Sequence, residues 1–291
     1  MTKALVVSNC ATSAYVGGLK VLFPAWEVRG ATSNLAAQWV SSNAPNPSFV
    51  EYVQDCDIYV GLPPDESQYG QLLPKQNLRV MIPPFRFRGL QPDVFHLDGF
   101  SSALGNGSTL HSRIITASFR AGLTPARTRS LFNLNTYEAF NFPSLYESEK
   151  QELIGRFGRH RIDLSGSFER WISRGNFLYS YNHPRIDVLM EILRRALVAA
   201  ELLPVSERER DDDMGVADDL GESIVWPIYP EIARLRGLEG SLNWRRARAG
   251  NYETLDLNQF VQASYKRISA KHLETPELPE WIDILKSLDA F

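Results

Sequence analysis

The chain has 291 residues, 44% of them hydrophobic and 22% charged, with a formal net charge of −3 at pH 7. This is the composition of a globular protein with room for a substantial core, and it lacks the basic field that draws a protein to nucleic acid or anionic lipid. Two cysteines, Cys10 and Cys56, make no disulfide framework and sit in no CxxC pair, so a reducing, cytoplasmic setting is expected.

The first residues, Met1 to Asn9, lack the long apolar stretch of a secretory leader, and no apolar run is long enough to span a bilayer. Peripheral association with a membrane stays open. Ala4-Leu5-Val6-Val7 is a short apolar run rich in β-branched residues and reads as a buried strand. Ser13 to Leu22 suits a helix, capped by Thr12 or Ser13, in which Gly17 and Gly18 signal close packing against a neighbour. Trp26 to Arg29 alternates as a second strand. Thr32 or Ser33 caps a helix through Val40, and Ser48 to Gln54 forms another. Strands follow at Asp57–Val60 and Leu78–Ile82. This βαβαβ alternation predicts an open, mostly parallel, Rossmann-like α/β sheet, with ligands bound beyond the carboxyl ends of its strands.

Phe85 to Gly107 reads as a long loop rich in Gly, Pro and aromatic residues. Helices are expected at His111–Ala121, with Gly122 as C-cap, at Ala126–Phe132 after Thr124-Pro125, and at Glu147–Arg159. Phe177 to Tyr181 is extended. Ile186, Leu189, Met190, Leu193 and Leu197 mark the clearest amphipathic helix, Arg185–Leu202. Ser206 to Glu222, with its Glu207–Asp213 charge run, reads as a mobile acidic surface loop, either a solvated linker or a lid. Leu255–Ile268 and Trp281–Leu288 read as helical. The expected organisation is an α/β ligand-binding unit over residues 1–125 and a mainly helical added region over 126–291, as two units or one continuous domain.

No GxGxxG, Walker A, HExxH or GxSxG motif is present, and the five histidines show no metal-ligand spacing with the cysteines, so no metal is expected. The first chemical candidate is Ser8-Asn9-Cys10, in the turn after the first strand. A helix N-terminus there attracts anions and lowers a thiol pKa, while Asn9 can donate to an oxyanion or brace the turn. The structural alternative is a small cysteine that merely packs, which is the reading for Cys56. The second candidate is Ser180-Tyr181-Asn182-His183-Pro184. Pro184 keeps His183 out of helical geometry at a junction where a neutral imidazole can serve as general base; alternatively Asn182 caps the next helix. The third is Gly107 to Arg113, where His111, Ser112 and Arg113 can hold phosphate or hydroxyl, or Ser108 or Thr109 simply caps a helix. Pro84-Phe85-Arg86-Phe87-Arg88 adds two arginines suited to phosphate and two aromatics suited to adenine, or else a surface edge with snorkelling arginines.

In order and spacing, the Asn9-Cys10 end of the first strand, the Pro83–Phe87 run, Gln91-Pro92-Asp93, the His111-Ser112-Arg113 start with Gly122, and Tyr181-Asn182-His183-Pro184 resemble the WcbI family of bacterial capsular polysaccharide biosynthesis proteins, over roughly residues 3–200. The resemblance implies an open α/β sheet with an added helical region and an O-acetyl transfer from acetyl-coenzyme A to a sugar or polysaccharide-precursor hydroxyl. Coenzyme A then serves as acyl-donor substrate, without metal or nucleic acid, and peripheral contact with membrane glycan machinery fits the same role. Where family members often read Asn-Cys-Gln, this chain reads Asn9-Cys10-Ala11. On this reading Cys10, His183 and Asn9 are the catalytic candidates, and Arg86, Arg88, His111, Ser112, Arg113, Tyr181 and Asn182 the coenzyme-binding ones. Two other readings stand beside it: an esterase similar to SGNH-type hydrolases with Ser8 or Cys10 as nucleophile, and a non-catalytic coenzyme- or nucleotide-binding protein of a glycan-assembly system.

Overall fold

The computed structural model describes residues 1–41, 45–64, 69–97, 99–105, 107–210, 212–248, 251–269 and 275–288. In chain order, β1 (Lys3–Ser8), α1 (Thr12–Leu22), β2 (Glu27–Thr32), α2 (Ser33–Ser41), α3 (Pro47–Gln54), β3 (Ile58–Gly61) and β4 (Leu78–Met81) alternate as expected. They are followed by β5 (Val94–His96), β6 (Leu110–Ser112), α4 (Arg113–Arg120), α5 (Pro125–Ser130), α6 (Leu134–Ala139), α7 (Leu145–Gly158) and α8 (Ser167–Ser173). Then come β7 (Leu178–Ser180), β8 (His183–Pro184), α9 (Ile186–Ala199), α10 (Pro230–Arg234), β9 (Trp244–Arg248), β10 (Asn251–Leu255), α11 (Leu257–Ser269) and α12 (Leu278–Ser287).

The contacts group these elements into two compact units that no single cut in the chain separates. One comprises residues 1–85, 153–171 and 183–221, the other 86–152, 172–182 and 222–291. The physical reason is α9: its apolar face, distant in sequence, covers the first unit's sheet by packing on α1 and β4.

In the first unit a four-stranded, all-parallel sheet runs in the order β2-β1-β3-β4. Ala4 to Ser8 are all buried, as a central strand covered on both faces requires. Leu5 and Val7 point into a cluster with Ala31, Phe49, Tyr52, Val53 and Tyr59; alternation sends Ala4 and Val6 to the opposite face. Burying a valine or leucine side chain there contributes about 1.5–3 kcal/mol. The close packing expected at Gly18 is present: a Cβ there would meet Leu193 at 2.6 Å and the Met190 sulfur at 2.9 Å. β1 and β3 abut at their carboxyl ends, where Val7 pairs with Gly61. Gly61 has φ +136°, and a Cβ on it would lie 1.9 Å from the Val7 carbonyl oxygen.

Several local expectations shift. β2 runs on to Thr32, whose Oγ1 accepts from Leu35 N at 3.4 Å and so caps α2. The cap residue of α1 is Ala11 rather than Thr12 or Ser13, and its side chain makes no capping bond. Asn46 caps α3 by accepting from Phe49 N. The acidic segment is tied to α9 by its carboxylates. Asp218 Oδ2 accepts from Ile186 N at 3.1 Å, and Asp212 pairs with the buried Arg194. Asp211, in the same charge run, lies outside the described residues.

In the second unit, β5 lies inside what reads as a loop in the sequence and pairs antiparallel with β6, just beyond that loop. His111 and Ser112 belong to β6, so the helix expected from His111 starts only at Arg113. The residues are the same; the difference is that Asp93 caps the chain reversal, its carbonyl accepting from Arg113 N and its Oδ1 from Ile114 N at 2.9 Å. Gly122, at φ +77°, ends α4 as expected, with Leu123 N bonding to Ser118 O. The aromatic core is built around Trp226, Tyr229, Trp244 and Phe260, all buried. Among the described residues no helix is long and apolar enough to cross a membrane.

Candidate active site

The strand order makes the carboxyl ends of β1 and β3 a topological switch point, because the chain leaves β1 for β2 on one side and returns to β3 on the other. The turn after β1 stands there. Asn9 Oδ1 accepts from Ala11 N at 3.3 Å, an Asx turn, and the Asn9 carbonyl accepts from both Thr12 N and the Thr12 hydroxyl. Ser8 is buried within β1, whereas Cys10 reaches solvent. The N–H groups of Ser13 and Ala14, in the first turn of α1, have no acceptor among the described residues.

The expected lowering of the Cys10 pKa does not occur. Desolvation of the sulfur pushes the thiol above its ordinary value, and a backbone hydrogen bond offsets only part of this. Cys56 is buried, donates to Val53 O and packs in the core.

A groove of about 680 Å³ opens at Cys10. One wall is the α1 face carrying Ser13, Val16 and Lys20; the other is β2 from Val28 to Thr32, with Leu35 and Trp39 of α2 above it. Sequence reasoning missed this groove, although the spacing of Ser13, Val16 and Lys20 marks one helical face. His183 belongs to the same unit. It is half-buried, and desolvation holds its imidazole down to about 4, so it is neutral at physiological pH. The alternative reading, in which Asn182 caps α9, does not hold: Asp218, from the acidic segment, accepts from Ile186 N at the start of the helix.

The remaining candidates lie in the second unit, which joins two of the sequence runs directly: Phe87 N donates to Tyr181 O at 2.7 Å, beside the Phe87–Phe177 ring stack. Arg86 is exposed. Arg88 clasps Glu149, its Nε 2.9 Å and its NH2 2.8 Å from Oε1. His111 is buried between Phe95 and Phe100, its Nε2 donates to Phe100 O at 3.1 Å, and burial lowers its pKa. Ser112, not Ser108 or Thr109, is the N-cap of α4 and accepts from Ile115 N at 3.1 Å. Tyr181 is buried, and Asn182 Oδ1 accepts from the Ser180 hydroxyl.

Arg113 differs from the others. Its guanidinium stands over Trp281, and its buried Nε has no partner among the described residues. Burial and the neighbouring Arg88 charge lower its pKa. It is the second unit's candidate for holding an anionic group. Among the described residues no cluster of His, Cys, Asp and Glu converges on a metal-sized site.

The model of the polysaccharide biosynthesis enzyme family WcbI matches residues 3–205. The chain belongs to the WcbI family. The matched span takes in Asn9, Cys10, Arg86, Arg88, the His111–Arg113 turn and Tyr181 to His183, and the open α/β sheet expected from the resemblance is present. The fold also matches a solved structure of WcbI, described as a polysaccharide biosynthesis enzyme in its native form without a disulfide bond between coenzyme A and a cysteine. That structure is 15% identical, with a TM-score of 0.65 over 100% of this chain and 99% of the other. No curated protein matches the chain.

Proposed function

We propose that this member of the WcbI family transfers an acetyl group from acetyl-coenzyme A to a sugar hydroxyl in polysaccharide biosynthesis. The observation that carries the reading is the exposed Cys10 at the β1–β3 switch point, beside an uncapped helix N-terminus and at the mouth of a groove. The similar solved structure is described by its lack of a disulfide between coenzyme A and a cysteine, and that pairing of coenzyme with cysteine supports placing the thioester near this thiol.

Acetyl-coenzyme A supplies the activated acyl group. The N–H groups of Ser13 and Ala14, with the Asn9 amide, offer donors for the negative charge that develops on the acyl oxygen. His183, neutral at physiological pH, takes the proton of the attacking sugar hydroxyl and returns it to the departing sulfur. The raised thiol pKa supports direct attack by the sugar over acylation of Cys10, since a protonated thiol is a poor nucleophile. Burial of Ser8 disfavours it as the nucleophile of an esterase.

Acetyl transfer to sugar acceptors, followed by mass spectrometry, tests this. His183→Ala is expected to lower kcat by about 10²–10⁴-fold, while Cys10→Ala retains activity. Loss in Cys10→Ala with a trapped acetyl-cysteine in the parent protein overturns direct transfer. Ester hydrolysis without coenzyme A binding overturns the whole reading.

A further inference from the structure

We propose that Asp218 is a positioning residue for His183: from the acidic strap beyond α9, its carboxylate fixes the first turn of that helix and so sets where the imidazole stands. The inference rests on the reading of His183 as general base and adds the group that holds it in place.

α9 has no cap of its own. Its N-cap position is Arg185, whose side chain makes no capping bond, so the first-turn N–H groups need an acceptor from elsewhere in the chain. Asp218 provides it. Its Oδ2 accepts from Ile186 N at 3.1 Å, while its Oδ1 accepts from Gly221 N at 3.0 Å. One carboxylate thus ties the helix start to the strap, and the helix dipole favours its charge there.

The link from Ile186 back to His183 is stiff. The ring of Pro184 locks its φ, and Arg185 is extended at φ −66° and ψ 160°. Three residues of chain reach at most about 10 Å. A shift of the helix start is therefore passed to the imidazole rather than absorbed on the way. His183 is half-buried, and desolvation is what brings its pKa down to about 4, so its titration reports its placement.

The strap is itself anchored. At the other end of α9 the buried Arg194 donates through NH1 to the carbonyls of Arg210 and Asp212, each at 3.1 Å, and pairs with the Asp212 carboxylate. Val216 N then donates to Asp213 O at 3.0 Å, closing a turn in which Met214 and Gly215 have φ of +56° and +67°. The glycines of α1 leave room for that turn. A Cβ on Gly17 would lie 2.8 Å from Val216, and one on Gly18 would lie 3.1 Å from Met214. The anchors at Arg194 and Ile186 stand about 12 Å apart along α9. Six residues from Asp212 to Asp218 could extend to about 20 Å, so the turn takes up the slack and brings Asp218 to the helix start. The charge run that reads as a loose loop is a brace.

A double-mutant cycle tests the assignment. Asp218→Ala is expected to lower kcat for acetyl transfer about tenfold, with KM for acetyl-coenzyme A within about twofold of the parent. Asp218→Asn keeps an oxygen for Ile186 N and restores most of the rate. In His183→Ala, which has no imidazole to place, Asp218→Ala changes kcat by less than about twofold. Asp219→Ala, at an exposed neighbour on the strap, stays at the parental rate. In NMR of isotope-labelled histidine, His183 of Asp218→Ala titrates above about 4 and toward the ordinary 6.5 as the ring gains water. Should Asp218→Ala not fold, Asp218→Glu, which moves the carboxylate by one methylene, takes its place in the cycle with a loss of about threefold. An equal loss in the parent and in His183→Ala, or an unchanged His183 titration, overturns the positioning role and leaves the acetyl-transfer reading standing. If His183→Ala keeps the parental kcat, the base assignment fails and takes this one with it.

Discussion

Gly61 is where the fold and the candidate site meet, and replacing it with alanine tests the architecture beneath Cys10. Its φ of +136° is strained for any residue with a side chain, and the added Cβ would stand 1.9 Å from the Val7 carbonyl oxygen, more than 1 Å short of the 3.0 Å that real Cβ atoms keep. The obstructing atom is backbone in the central strand, so no side chain can swing aside. Backbone strain of about 1–3 kcal/mol and overpacking of about 1–3 kcal/mol together put the cost of Gly61→Ala at about 3–5 kcal/mol. At about 2–4 °C per kcal/mol, the melting temperature falls by about 10 °C. Gly122→Ala is the control: its φ of +77° is also left-handed, but a Cβ there meets nothing within 4 Å. It should cost only about 1 kcal/mol. Differential scanning calorimetry of both variants decides the matter. A Gly61→Ala transition within about 2 °C of the parent, or equal to that of Gly122→Ala, refutes the claim that β1 and β3 are locked together at the switch point.

Two further predictions concern charge. Glu191, fully buried in α9, accepts from Ser167, Trp171, Arg170 and Arg195. Burial opposes its charge, but those hydrogen bonds and the two arginines outweigh it and hold its pKa below the ordinary value. Its contribution to stability is therefore complete above the unfolded pKa of about 4.3 and is lost as pH falls through the lower folded value. Glu191→Leu strands two arginines and should cost about 3–5 kcal/mol at pH 7 in urea unfolding, with the gap to the parent narrowing in acid; a gap that widens in acid contradicts this. For His183, burial to a pKa of about 4 places the acidic limb of the kcat/KM profile near that pH. A limb near 6.5, the ordinary imidazole value, would show that a different or fully solvated group is the base.

The local pattern of residues carried much of the architecture. The continuous apolar run Ala4–Val7 could only be a strand covered on both faces, and the turn that follows it had to deliver Asn9 and Cys10 to the sheet's carboxyl edge. The 3.6-residue spacing from Ile186 to Leu197 similarly forced a buried helix at α9. What the sequence could not carry were choices made by distant partners. His111 and Ser112 joined β6 because Val94 to His96 was there to pair with them, overriding a helical local pattern. Arg88 became half of an ion pair because Glu149 faces it, while the Arg113 Nε is left without a hydrogen-bond partner among the described residues. The groove along β2 depends on which strand ends the sheet, and the Cys10 thiol rose rather than fell because desolvation is set by every atom that packs around it. Periodicity and turn chemistry act over a few neighbouring residues and can be read in order along the chain. Partner, edge and burial arise from contacts between segments far apart in sequence, and only the folded structure decides them.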